Sequence, residues 1–168
     1  MRSISDGALL EESLRKYKEE IKRLCEGLDD ETASRNPEGR WSPKQIISHL
    51  TGPEGESFTT VIRKVLNESV PLVEFEVEDP FFTERRSRMS IRELIAEFDK
   101  EYSDIADYAS TLSNDELGRK AHVPLFKDTD LGEYPTIGQI IQGLADYHMD
   151  FHVKHLREVL EELGVKAR

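Results

Sequence analysis

Three segments of this chain signal a helix start in the same way. Ser42 with Gln45, Ser90 with Glu93, and Thr136 with Gln139 each set a hydroxyl residue three positions ahead of a Glu or Gln. In such a capping box the hydroxyl accepts from the third backbone N–H, and the longer side chain reaches back to the cap. Pro43 adds the residue preferred at a first helical position. Apolar residues then recur at helical spacing. After Ser42 they are Ile46, Ile47, Leu50, Phe58, Val61, Ile62 and Val65. After Ser90 they are Ile91, Leu94, Ile95, Phe98, Tyr102, Ile105, Tyr108 and Leu112. After Thr136 they are Ile137, Ile140, Ile141, Leu144, Phe151, Leu156, Val159, Leu160 and Leu163. A fourth face, Leu9, Leu10, Leu14, Tyr17, Ile21 and Leu24, spans about Ala8 to Glu26 and stops at Gly27.

Four amphipathic helices without a convincing sheet predict an all-α fold, a four-helix bundle, as one domain over residues 1–168. Gly52-Pro53 should kink or split the second helix, because proline removes a backbone bond. The connections between helices two and three (Asn67 to Met89) and three and four (Ser113 to Pro135) are long. The first holds an alternating run from Val70 that reads as a brief extended segment, and the second a short helix at Asp115 to Lys120. Loops of this length in a compact domain are usually functional or mobile.

A net charge of −11 argues against nucleic acid and anionic lipid as partners. The one basic cluster, Arg85, Arg86 and Arg88, reads either as an anchor for an anionic substrate or as a solvated loop balancing Glu74, Glu76 and Glu78; the second is preferred. No run is apolar enough to span a membrane. The single cysteine, Cys25, excludes an intrachain disulfide, and Met1-Arg-Ser-Ile-Ser-Asp has no signal-peptide h-region. Together they predict a cytoplasmic protein with Cys25 packed rather than reactive.

His148, His152 and His155 fall on the bundle-facing stripe of the last helix. An i, i+4 pair projects from one face about 6 Å apart along the axis, and two such imidazoles can grip one metal ion. His148 and His155 are separated by about 10.5 Å of rise, too far to share an ion easily. His148 and His152 are therefore the natural pair. His49, on the apolar side of the second helix near Ile46 and Leu50, is the best third donor. His122 lies in a loop and is weaker; His155 would orient a neighbour or close the site. The competing reading is that these are core histidines satisfied by hydrogen bonds.

Trp41-Ser42…His49-Leu50, followed about a hundred residues later by Tyr147-His148…His152…His155-Leu156, resembles the DinB-like superfamily. The resemblance spans nearly the whole chain. It implies a four-helix bundle with His49, His148 and His152 in place of the family's metal-binding histidines. The implied cofactor is a divalent ion, among zinc, nickel, manganese and iron. The better-understood members are thiol S-transferases and isomerases using low-molecular-weight thiols, which also makes a homodimer reasonable. The chain departs from the pattern at Gly52-Pro53, which could move His49, and at Phe151, which makes its side of the site more apolar.

Three neutral imidazoles leave an ion its full charge and open positions, as in catalytic rather than structural sites. The leading expectation is transfer of a cofactor thiol to an electrophilic small molecule. The alternatives are hydrolysis by metal-activated water, with Asp150 or Glu56 as general base, and a non-catalytic metal-binding or dimerising scaffold. In the scaffold reading, exposed Phe81 and Phe82 serve a subunit contact or lid. Asp146 and Asp150 read rather as surface groups or as outer partners of the ligands.

Overall fold

The computed structural model describes residues 6–76 and 78–166. Its helices are α1 (Asp6–Leu24), α2 (Asp30–Ala33), α3 (Pro43–Thr51), α4 (Phe58–Asn67), α5 (Glu84–Ser87), α6 (Ile91–Thr111), α7 (Asn114–Leu117), α8 (Ile137–Gln142) and α9 (Asp150–Glu162). Four rods form the bundle: α1, the broken pair α3–α4, α6, and α8 running through a π-helical segment, Gly143–Met149, into α9. α1 packs along α6 and also meets α8, the π segment and α9; α3 packs on α6 and α9. Gly7 permits the tight start of the α1–α6 seam, since a Cβ there would lie 2.6 Å from the Ala109 carbonyl oxygen.

The capping boxes at Ser42, Ser90 and Thr136 form as read, and a fourth at Ser113 starts α7 at Asn114. Gly52-Pro53 splits the second rod. Gly52 has φ 90°, which turns the chain out of α3 before Ser57 caps α4. The two long connections are stitched to each other, Val73 N–H donating to the His122 carbonyl and His122 N–H to that of Pro71. Isolated bridges result, Leu72 with His122 and Lys120 with Thr136, and no sheet among the described residues.

The core is one cluster built around Leu14, Ile21, Ile46, Phe98, Tyr102 and Ile141. Some residues of the expected apolar faces lie at its edge or outside it. Leu9 and Phe151 are exposed, and Leu144 is only half-buried, while Ala145, Met149 and Val153 are buried instead. For Leu144 and Phe151, in the last rod, the π segment is the cause. Its i→i+5 bonding loosens the turn, so residues four apart lie more nearly in line than α geometry allows. Among the described residues no helix is long and apolar enough to cross a membrane.

Candidate metal centre

His49 sits in the last turn of α3, His148 at the end of the π segment and His152 in the first turn of α9. Their ring centroids are 5.1 Å (49–148), 4.7 Å (49–152) and 4.7 Å (148–152) apart. One nitrogen from each lies within 4.8 Å of the other two. His49 and His152 are buried and His148 is half-buried. Despite Gly52-Pro53, His49 stays in the group, because the break falls after its turn.

The hydrogen bonds constrain the tautomers. His49 Nδ1 donates to the Asp79 carbonyl at 2.6 Å, which leaves Nε2 as a lone-pair acceptor. That Nε2 lies 3.0 Å from His148 Nε2. His152 Nδ1 is 3.2 Å from His155 Nδ1, so one proton is shared between them; with it on His152, the Nε2 of His152 is also a bare acceptor. His148 Nδ1 is buried with no hydrogen-bond partner among the described residues. The centre thus gathers acceptors and supplies few donors.

Burial favours the neutral imidazoles. Desolvation, then the neighbouring His49, pushes His148 down to about 4. Desolvation, then His148, His49 and His155, pushes His152 down to about 2. Desolvation also lowers His49, against the opposing hydrogen bond to Asp79. All three are therefore in the protonation state a metal requires at neutral pH. Metal–imidazole bonds of about 2.0–2.1 Å would put two ligands of a tetrahedral ion roughly 3.3 Å apart. The His49–His148 separation is of that order and the His152 nitrogen lies within 4.8 Å of both, so small ring rotations would bring all three onto a single cation.

Aromatic side chains wall the centre. Trp41 lies 5.1 Å from His49 and 6.1 Å from His155 between ring centroids. Phe81 stacks on His49 at 6.0 Å with an interplanar angle of 1°, and Phe151 meets His152 edge-on at 5.0 Å. Phe81 and Phe82 are thus half-buried rather than the exposed pair expected, because one covers His49 and the other packs on the core. His122 is elsewhere, paired with Glu133 and stacked on Tyr134.

The arginine cluster also differs from both readings of it. Arg85 pairs with Glu54 and Glu97, Arg88 with Glu84, and Arg86 is buried. The balancing acids come from neighbouring helices and turns, not from Glu74, Glu76 and Glu78. Sequence reasoning missed the Asp79 carbonyl altogether, since a backbone acceptor carries no side-chain signal.

Two solved structures share the fold. One is YfiT from Bacillus subtilis, described as a probable metal-dependent hydrolase with an unusual four-helix bundle topology; it is 18% identical, with 99% of this chain and 93% of that one covered and a TM-score of 0.77. The other is a protein from Streptococcus pneumoniae, 13% identical over 96% of this chain and 93% of that one, with a TM-score of 0.65. No curated protein matches the chain. The profile of the DinB superfamily matches residues 14–156, a span that takes in the four rods and all three clustered histidines, and the chain belongs to that superfamily.

Proposed function

We propose that this protein is a divalent-metal-dependent hydrolase acting on a small molecule, with His49, His148 and His152 as its metal ligands. The observation that carries the reading is the convergence of three neutral imidazoles, two buried and one half-buried, whose nitrogens face one another with few donors between them. The description of YfiT as a probable metal-dependent hydrolase supports the same reaction class. Held by three neutral imidazoles, a divalent cation supplies Lewis acidity, lowering the pKa of water or a thiol and polarising a substrate oxygen.

The chain's own groups prepare the centre. The Asp79 carbonyl keeps the proton of His49 on Nδ1 and so leaves Nε2 free to bind. His155 serves His152 in the same way when the proton they share is on His152 Nδ1. Trp41 and Phe81 exclude water from the flank of His49. Neither carboxylate considered as a general base joins the cluster. Asp150 is held by Lys154 at 2.8 Å, and Glu56 lines a cavity of ≈ 260 Å³ with Arg86 and Glu101. The chain's contribution is therefore the ligand set and its apolar walls.

Thiol transfer is the second reading, favoured by a donor set of only three protein ligands, which leaves room for a thiolate as readily as for water. A cytoplasmic, homodimeric enzyme that does not bind nucleic acid completes the proposal. The exclusion of nucleic acid is supported by the net charge of −11 and the engagement of all three clustered arginines within the chain, the compartment by the single buried Cys25, and the homodimer by the family resemblance alone. The test is to strip the protein with chelator, reload it with zinc, nickel, manganese or iron(II), and assay a panel of esters, amides and phosphoesters. Metal-restored hydrolysis without added thiol is expected. Loss of that activity from every metal form, with a low-molecular-weight thiol shifting the visible spectrum of the cobalt form, would place thiol transfer ahead. A tightly bound ion with neither response would favour the scaffold.

A further inference from the structure

Arg86 is only 3% exposed, although it belongs to a four-residue helix near the end of the long connection from Asn67 to Met89. Its Nη1 lies 2.6 Å from the Gly52 carbonyl oxygen, 3.0 Å from Ser48 Oγ, and 3.2 Å from both the Ser48 and Phe81 carbonyl oxygens. Two hydrogens serve four acceptors, so these bonds are shared. Ser48 Oγ donates in turn to the Phe81 carbonyl at 3.0 Å. The guanidinium charge is met at 3.6 Å by Glu54 and at 3.8 Å by Glu97, and it sits at the C-terminal end of α3, where the helix dipole favours a cation.

What Arg86 joins is specific. Ser48 and Gly52 belong to the end of α3, on either side of His49. Phe81 closes the loop that supplies both contacts fixing the His49 ring: the Asp79 carbonyl on Nδ1 and the stacked Phe81 ring. That loop is strained. Glu78 has φ 66° and Phe81 φ 49°, in a region that non-glycine residues with bulky side chains rarely adopt. Strained conformations of this kind persist only where surrounding structure over-determines them. Phe81 N–H donating to Asp79 Oδ1 at 2.7 Å is one such restraint, and the Phe81 carbonyl is held by Arg86, by Ser48 Oγ and by the Thr83 N–H.

We infer that Arg86 is a positioning residue of the histidine centre: it fastens the loop at 79–81 to the end of α3 and so holds His49 with Nε2 turned toward His148. The consequence for metal affinity rests on the metal reading given above; the positioning itself does not.

The experiment therefore has two readouts. In metal-free protein with ¹⁵N-labelled histidine, the buried His49 Nδ1–H should give a slowly exchanging imidazole proton, assigned by its loss in His49→Gln. Arg86→Met should abolish or broaden that signal, Arg86→Lys should restore it in part, and the exposed Arg88→Ala should leave it intact. Lysine keeps the charge but lacks the fork of donors. In the second readout, zinc affinity should fall about 10–100-fold in Arg86→Met, as when an outer-shell partner of a metal ligand is lost. Should Arg86→Met fail to fold, Ser48→Ala decides. It keeps the guanidinium but removes the link through Ser48 Oγ, and it should weaken both readouts less severely. An unchanged imidazole proton in folded Arg86→Met, or in Ser48→Ala if the former is unfolded, overturns the proposal. If wild-type protein binds no ion, the metal reading fails while the imidazole signal still judges Arg86.

Discussion

Lys18 and Asp99, in the seam between α1 and α6, and the three histidines between α3 and the last rod are polar groups withdrawn from water in opposite manners. In the seam, charge meets opposite charge, and ion pairing rather than an aligned hydrogen bond holds the buried Asp99 Oδ1. Lys18 Nζ lies 2.9 Å from Asp99 Oδ1 and donates to Ser103 Oγ at 3.0 Å, with Lys22 at 3.2 Å from the same carboxylate oxygen. At the centre, two imidazole nitrogens face each other at 3.0 Å with at most one proton to join them, and one buried nitrogen of His148 has no partner among the described residues. A buried polar group with its complement supports the fold. One without it costs stability, and a bound ligand can offset that cost. The difference marks the seam as architecture and the centre as a place built for something else.

The strongest way to break this contrast is to remove a supposed ligand. His152→Ala should reduce bound metal from about one ion per chain to background, with affinity weakened by more than ~100-fold, beyond what an outer-shell change produces. Metal analysis of purified protein checks this, and equal metal in both proteins would make the centre as structural as the seam. Next in size, Asp99→Ala should destabilise the protein by about 2 kcal/mol in urea unfolding while leaving metal content unchanged. That is less than the ~3–5 kcal/mol for a fully buried pair, because the carboxylate is about a third exposed and Lys18 keeps Ser103.

Acid titration sharpens the same point. Lys18, and after it Lys22, holds the Asp99 carboxyl below its ordinary value. The unfolded chain takes up that proton first, so the seam's contribution is full above about pH 4 and is lost as pH falls through the folded-state value. Asp99→Asn should flatten this part of the stability profile, and a profile as steep as wild type would remove the seam from the account. The smallest effect belongs to His122→Ala. With its ring on Glu133 and Tyr134, it should leave metal content unchanged and alter stability by no more than about 1 kcal/mol.

The parts of the molecule legible in the sequence are those with local codes. Ser42, Ser90 and Thr136 mark helix starts because their partners stand three residues away, and Gly52-Pro53 marks a break for reasons of backbone geometry alone. The meeting of His49 with His148 and His152 was legible because a histidine on an apolar face must point toward another helix. The π segment was not. Its register answers to packing on two sides at once, with Ala145 and Met149 facing the core while His148 faces His49. For the same reason Phe151 looked like core, although it stands 57% exposed. Arg86 was hidden by its neighbours, since nothing in Arg85-Arg86-Ser87-Arg88 says which guanidinium turns inward.

Cys25 lies just beyond α1, buried, and burial raises its thiol to about 12. As the chain's one sulfhydryl, 7% exposed and held as the thiol, it should react with alkylating reagents mainly when the end of α1 comes away from the body. The protein therefore carries its own clock for opening at that corner, one that can be read without adding a probe to either the seam or the histidines.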